Sequence, residues 1–93
     1  MTVDRTVEVV PEAGLHARPA AKFVETAGEY DAEISIGPAG ADDDALVPAG
    51  SMLAVTGLGV ASGESVRLRA EGPDEEAALE ALAAILGTPE EGD

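Results

Sequence analysis

Apolar and polar residues alternate along three stretches of the chain, and such alternation predicts β-strands with one buried face. These stretches are residues 2–10, 31–36 and 64–71. A fourth, shorter strand is predicted over residues 45–49, where Pro48 favours an edge position because proline cannot donate a hydrogen bond to a neighbouring strand. The residues predicted to face inward are Val3, Val7, Val9, Ala32, Ile34, Ile36, Val66, Leu68 and Ala70.

Three other segments have the spacing of amphipathic helices. The first is predicted to begin beside His16 and to end at Gly28. The second is short and runs through Thr56, with Ser51 as its N-cap. The third is predicted to follow a capping Asp74. The apolar faces of the two longer helices consist of Ala20, Phe23, Val24 and Ala27, and of Ala78, Leu79, Leu82, Ile85 and Leu86.

The predicted order of elements is β-α-β-β-α-β-α. Strands and helices do not alternate regularly, which favours an α+β fold with an antiparallel sheet over a parallel α/β fold. Strands that alternate polar and apolar residues suit a sheet whose second face meets solvent. We therefore predict one domain over residues 1–93, in which three helices cover one face of a four-stranded antiparallel sheet.

Charge narrows the range of functions. Nineteen acidic residues against five basic ones give a net charge of −14. We do not expect nucleic-acid binding. Five basic residues cannot form a basic stripe, and two aromatic residues offer no platform on which bases could stack. An acid excess with a single lysine is typical of a halophilic protein, since the Debye length falls to about 3 Å at about 1 M salt and repulsion is screened. An ordinary acidic protein is the alternative.

The chain contains no cysteine, so disulfides and thiolate metal sites are excluded. A basic N-terminal region followed by an apolar run is absent, and no apolar stretch approaches the roughly 20 residues that span a bilayer. We expect a cytoplasmic protein without membrane insertion. The consecutive acids Asp42, Asp43 and Asp44 match no cation-binding loop, which favours a solvated acidic loop and no metal site.

The candidate chemistry lies in residues 14–21, with the sequence GLHARPAA. This segment holds the only histidine, His16, and Arg18 two residues later, at the predicted start of a helix. A helix N-terminus stabilises an anion through its unpaired N–H groups and its dipole. The guanidinium of Arg18 suits phosphate, and a neutral imidazole is a nucleophile near pH 7. The residues alone thus indicate a phosphoryl site at His16, with a helix-capping histidine as the alternative.

This segment closely resembles the active-site signature of HPr, the histidine-containing phosphocarrier family of the phosphoenolpyruvate:sugar phosphotransferase system, and the likeness extends over nearly the whole chain. The resemblance implies an open-faced β-sandwich and a phosphoryl group accepted on Nδ1 of His16, with Arg18 stabilising it. Ala17 and Lys22 would then contribute to partner docking. The implied donor is phosphorylated enzyme I, and the implied acceptor is a sugar-specific phosphotransferase component.

A second matching stretch, residues 50–59, is similar to the short second helix of that family. In the family this helix carries an exposed apolar patch that docks onto partners, and Met52 and Leu53 would form it here. Ser51 occupies the position of a serine that is a regulatory phosphorylation site in some relatives. The resemblance implies a stoichiometric carrier that needs no cofactor, rather than an enzyme, and we expect a monomer.

Other readings remain open from sequence. An HPr-like carrier or regulator could serve dihydroxyacetone phosphorylation, with a dihydroxyacetone kinase phosphotransfer subunit as its partner. A module that keeps the fold without transferring phosphate is less favoured, because His16 and Arg18 are both present. An acyl carrier, suggested by small size, acidity and Ser51, is disfavoured because the alternating strands contradict an all-helical fold and Gly50 replaces the expected aspartate.

Overall fold

Strands and helices follow one another in the predicted order. The structure, a computed structural model, describes residues 2–11, 14–15 and 17–88. The strands are β1 (Thr2–Glu8), β2 (Glu33–Pro38), β3 (Val47–Pro48) and β4 (Ser65–Glu71). The helices are α1 (Ala17–Ala27), α2 (Met52–Gly57) and α3 (Glu75–Leu86), with a short 3₁₀ turn at Asp43–Ala45.

All strand pairs are antiparallel, in the order β1-β4-β2-β3. The last strand in sequence, β4, therefore lies in the middle of the sheet, where Val66 faces Val7 of β1 and Leu68 faces Ile36 of β2. The two-residue β3 is an edge strand, as the proline at position 48 predicts. The α+β fold with an antiparallel sheet is thereby confirmed.

One core lies between the sheet and the three helices. Alternate residues of β4 are buried, and Phe23 of α1 and Leu79 of α3 are fully buried among them. Burying a side chain of this size contributes about 1.5–3 kcal/mol. Val3 and Val7 are only half-buried, because β1 is an edge strand with neighbours on one side alone. The remaining core residues are Val9, Leu15, Ala20, Ala27, Ile34, Ile36, Ala49, Val55, Val60, Val66, Leu68, Ala70, Ala78, Leu82 and Leu86.

Element boundaries differ from the sequence prediction by a few residues. The first strand ends at Glu8 rather than Val10, because beyond this point Val9 bonds to the turn before β4 instead of to a strand. The second strand runs from Glu33 to Pro38 rather than over residues 31–36. The third is shortened because Ala45 belongs to the 3₁₀ turn.

Asp74 stands at the N-cap position of α3 but does not cap it through its side chain, so that part of the prediction is wrong. Its Oδ2 accepts a hydrogen bond from the backbone N–H of Asp31 at 2.9 Å. The carboxylate of Glu75 instead accepts from the N–H of Gly72 at 3.1 Å. Both side chains thus tie α3 to the turns that precede it.

The acidic segment between β2 and β3, residues 39–46, lies over the open face of the sheet and is called the acidic strap below. Asp43 pairs with Arg67 at 2.8 Å and with Arg69 at 2.9 Å, so its carboxylate bridges two residues of β4. Leu46 lies close to Gly37, where a Cβ would come within 2.7 Å of its Cδ2. Asp42, Asp43 and Asp44 are all exposed, as predicted for a solvated acidic loop, and Asp43 in addition pairs with two guanidinium groups of β4.

Candidate functional site

The phosphoryl-site motif lies at the start of α1. Ala17 is the first helical residue, Arg18 is exposed in the first turn, and Pro19 is buried there. Proline is tolerated at this place because the first N–H groups of a helix have no intrahelical partner. His16 directly precedes the helix in sequence and lies outside the described residues, as does the side chain of Ala17.

The first turn of α1 contains no acidic residue, whereas that of α3 contains Glu75 and Glu76. Carboxylates in a first turn neutralise the positive end of the helix dipole. In a chain with nineteen acidic residues, the first turn of α1 thus adds no negative charge at the positive end of its dipole, which favours an anion there.

The backbone that enters the motif is held by residues 60–64. The N–H of Leu15, a fully buried residue, donates to the carbonyl oxygen of Val60 at 3.0 Å. Gly14 has a φ of 68°, and a Cβ there would collide with the same carbonyl oxygen and lie 2.9 Å from Cα of Ala61. Only glycine fits this position without moving one of the two segments.

Helix α2 presents the predicted apolar patch. Met52 is 40% exposed and Leu53 is 84% exposed, while Val55 on the opposite side is fully buried. These two are the exposed large apolar side chains of the described residues. Exposed apolar side chains that lie together mark interaction sites. Helix α2 packs against α1, the helix at whose start the motif lies.

Ser51 is half-buried and caps α2, as its sequence position predicts. Its Oγ accepts a hydrogen bond from the N–H of Ala54 at 3.2 Å. Lys22 is exposed on α1, one turn beyond Arg18, and forms no ion pair with any residue that the structure describes. Arg18 and Lys22 thus share α1, which packs against the helix of the apolar patch, whereas the arginines of β4 lie on the open face of the sheet.

Sequence reasoning missed the contribution of residues 60–64. The contacts of Val60 and Gly14 are made by backbone atoms, which leave little trace in a sequence. The glycine at position 14 was the available signal, since a glycine at the start of the motif indicates a constrained turn, and its φ is indeed positive.

Within the described part of the chain, no helix is long and apolar enough to cross a membrane. The same part contains no group of three or more His, Asp or Glu side chains placed to hold a metal ion.

Comparison with known proteins agrees with this geometry. The family model described as "PTS HPr component phosphorylation site" matches residues 3–88. The phosphocarrier protein HPr of Haloferax volcanii is 68% identical over 88 residues, which are 95% of this chain and 97% of that protein. The phosphocarrier protein NPr of Escherichia coli is 38% identical and is covered to 94%. The crystal structure of HPr from Bacillus anthracis superposes with a TM-score of 0.83 at 39% identity, over 91% of this chain and 96% of that one.

Fold and motif together define a phosphocarrier of the phosphotransferase system. The chain belongs to the HPr family. The relative from Haloferax also links the acidic composition to a halophilic setting, as the charge predicts.

Proposed function

We propose that this protein carries a phosphoryl group from phosphorylated enzyme I to a sugar-specific phosphotransferase component, with His16 as the carrying residue. The proposal rests on membership of the HPr family and on one observation: the motif stands at a helix start whose first turn is free of carboxylates. The protein acts stoichiometrically in the cytoplasm, as a single domain over residues 1–93 and as a monomer.

The transfer exchanges one N–P bond for another. A neutral ring nitrogen of His16, Nδ1 by family resemblance, attacks the phosphorus of the phosphohistidine on enzyme I. The N–P bond on enzyme I breaks, and its imidazole departs with the electron pair. In the second transfer, a histidine of the acceptor component attacks the phosphorus on His16, and the N–P bond to His16 breaks. Because both leaving groups are imidazoles, the carrier requires no general base of its own, and its contribution is positioning and charge stabilisation.

Arg18 supports this chemistry from the first turn of α1. Its guanidinium presents several N–H donors in one plane, which suits the equatorial oxygens of a transferring phosphoryl group. The helix dipole acts in the same direction. The helix dipole is fixed before the partner arrives, so its contribution needs no reorganisation at the moment of transfer.

Docking uses the side of the molecule that carries α1 and α2. Leu53 and Met52 supply apolar contact, and Lys22, with Ala17 beside the acceptor, completes the surface. A carrier must leave each partner quickly, so we expect a small interface of the transient kind. Ser51, whose implied role is regulatory phosphorylation, already serves α2 as its cap.

Phosphorylation with purified components tests the proposal. The protein is incubated with its cognate enzyme I and phosphoenolpyruvate in molar KCl, and its intact mass is recorded, with His16→Ala in parallel. We expect one added phosphoryl group that is acid-labile and absent from the variant. Sugar-specific and dihydroxyacetone kinase components are then offered separately as acceptors of the labelled group.

An unmodified wild-type protein, with an enzyme I that demonstrably phosphorylates itself, would contradict the proposal. Transfer to the dihydroxyacetone kinase component alone would contradict the proposed sugar-specific acceptor and would leave the carrier role in place. Phosphorylation that persists in His16→Ala would move the acceptor to another residue.

A further inference from the structure

We propose that residues 60–64, called the support turn below, position the phosphoryl site, and that the side chains of Ser62 and Glu64 are positioning residues for the transfer. This inference rests on the proposed function of His16. The support turn contributes no group to the phosphoryl chemistry and acts through the backbone of residues 9–10 and 14–15.

The support turn first holds the exit from β1. The N–H of Val9 donates to the carbonyl oxygen of Glu64 at 2.8 Å, and the N–H of Gly63 donates to the carbonyl oxygen of Val9 at 2.7 Å. One residue further, the hydroxyl of Ser62 donates to the carbonyl oxygen of Val10 at 3.2 Å. The chain that leaves β1 towards the motif is therefore fixed by three consecutive residues of the support turn.

The support turn also holds the end that enters α1. Val60 accepts from the N–H of Leu15, and Gly14 contacts the backbone of Val60 and Ala61 so closely that a side chain is excluded. Leu15 is fully buried, and it immediately precedes His16 in the chain. Residues 9–10 and Leu15 are thus bonded to the same turn, and this fixes the distance between the exit from β1 and the entry to α1.

The side chain of Glu64 gives the support turn its shape, and the side chain of Ser62 attaches the turn to the segment after β1. Oε1 of Glu64 accepts from the N–H of Ala61 at 2.8 Å, and the N–H of Glu64 donates to the carbonyl oxygen of Ala61 at 3.1 Å. This reciprocal pair closes the turn on itself, with Gly63 at a φ of 90° between its ends. Ser62 then extends from the closed turn to Val10. The carboxylate and the hydroxyl act in series, because the first shapes the turn and the second attaches it.

A displaced turn would alter transfer more than it would alter docking. In-line attack needs the reacting atoms about 3–3.5 Å apart, and a shift of about 1 Å far from the chemistry is costly. The patch at Met52 and Leu53 lies on α2, which is capped independently by Ser51. Loss of the Glu64 or Ser62 contact should therefore lower the transfer rate constant at saturating partner and leave KM for the partner unchanged.

Conservative replacements separate the hydrogen bond from charge and size. Glu64→Ala removes the acceptor, whereas Glu64→Gln removes the charge and keeps a carbonyl oxygen for Ala61. Ser62→Ala removes the donor, whereas Ser62→Thr keeps it. Matched surface controls are Glu80→Ala on α3 and Ser65→Ala on β4, which are both exposed.

The experiment measures single-turnover transfer from phosphorylated enzyme I over a range of concentrations, and the ring resonances of His16 by NMR across a pH titration. We expect Glu64→Ala and Ser62→Ala to lower the saturating rate constant about threefold to tenfold, as expected for one lost hydrogen bond. Both variants should shift the His16 ring signals, and Glu64→Gln and Ser62→Thr should restore rate and signals.

Several results would overturn the inference. One is unchanged His16 ring signals and rate in Glu64→Ala and Ser62→Ala, even if their unfolding by urea shifts, since the turn would then be merely stabilising. If Glu64→Ala and Glu64→Gln lowered the saturating transfer rate constant equally, the effect would be due to the charge of Glu64 and not to its hydrogen bond. A wild-type protein that accepts no phosphate would defeat the proposed function, and the NMR comparison would still decide whether the turn positions His16.

Discussion

Nη1 of Arg67 lies 2.8 Å from Oδ1 of Asp43 and thereby joins the central strand of the sheet to the acidic strap. The same guanidinium donates from Nε to Asp4 of β1 at 2.7 Å and from Nη1 to the carbonyl oxygen of Ala41 at 3.0 Å. One side chain therefore connects an edge strand, the central strand and the strap on the open face. The surrounding charged groups are Arg69, Asp42 and Asp44.

Stability should fall in acid because of this ion pair. The hydrogen bond from Arg67 and the nearby charge of Arg69 hold the pKa of Asp43 below its ordinary value. A group whose pKa is lowered on folding stabilises the protein above its unfolded pKa, and this stabilisation is lost as the pH falls through the lowered pKa. We therefore expect Asp43→Asn to lower the urea midpoint slightly near pH 6 and to reduce the difference between pH 6 and pH 3.

Asp44→Asn is the matched control, since Asp44 is an exposed neighbour in the same strap. Equal effects of the two variants would show that general charge, and not the bridge to Arg67, sets the pH dependence. The effect of Asp43→Asn should also shrink in molar KCl, because salt screens exposed pairs.

Leu53→Ala should weaken docking without weakening the fold. The side chain is 84% exposed, so its removal should change the free energy of unfolding by less than about 0.5 kcal/mol. Truncation of an apolar anchor in an interface costs more than about 1 kcal/mol of binding, which raises KM for the partner roughly fivefold or more. Steady-state transfer from enzyme I measures this, with Leu53→Met as the control that keeps apolar area. An unchanged KM would remove α2 from the docking surface.

Ser51→Ala should destabilise α2, because the N–H of Ala54 loses its acceptor. The expected loss in the free energy of unfolding is about 1 kcal/mol. Ser51→Asp keeps an acceptor at the N-cap and should retain most of the stability. Thermal and urea unfolding check both variants, and any slowing of transfer in Ser51→Asp then reports on negative charge at this position. Equal stability of Ser51→Ala and the wild type would argue against the cap.

Arg18→Ala should slow transfer about 100-fold to 1,000-fold, the usual result of removing a donor that stabilises transition-state charge. Arg18→Lys retains charge and loses the planar fork, so an intermediate rate is expected. Single-turnover transfer at saturating enzyme I distinguishes the three proteins. A lysine variant as slow as the alanine variant would mean that geometry matters more than charge.

Salt should stabilise the whole protein. The net charge of −14 produces self-repulsion, and molar salt shortens the Debye length to about 3 Å. We expect the melting temperature to rise from dilute buffer to molar KCl. Circular dichroism measures this, with an equal concentration of sucrose as a control for excluded-volume effects. A constant melting temperature would contradict the halophilic interpretation of the charge.

Local patterns predicted the elements well. The alternation in β4 and the apolar stripe of α3 identified their buried faces, and the N-cap role of Ser51 followed from its residue type and place. These features depend on residues close in sequence. The phosphoryl-site motif was likewise recognisable because all its members fall within one short segment.

Long-range contacts were not predictable in the same way. Nothing local distinguishes Asp43 from its two acidic neighbours, and its pairing depends on where β4 places Arg67 and Arg69. The bond from Ser62 to Val10 joins residues far apart in the chain. Asp74 has the residue type of an N-cap, but its carboxylate accepts a hydrogen bond from the N–H of Asp31 and does not cap α3.

The sheet order has a consequence for how the protein is made. Because β4 separates β1 from β2, neither strand has its long partner until residue 71 has been synthesised. Residues 60–64, which hold the segment before His16, also emerge late. A growing chain therefore exposes the motif before residues 60–71, and the motif gains its bonded surroundings only after these residues have emerged. Folding must then close long loops, so we expect it to be slower than in a helical bundle of the same length.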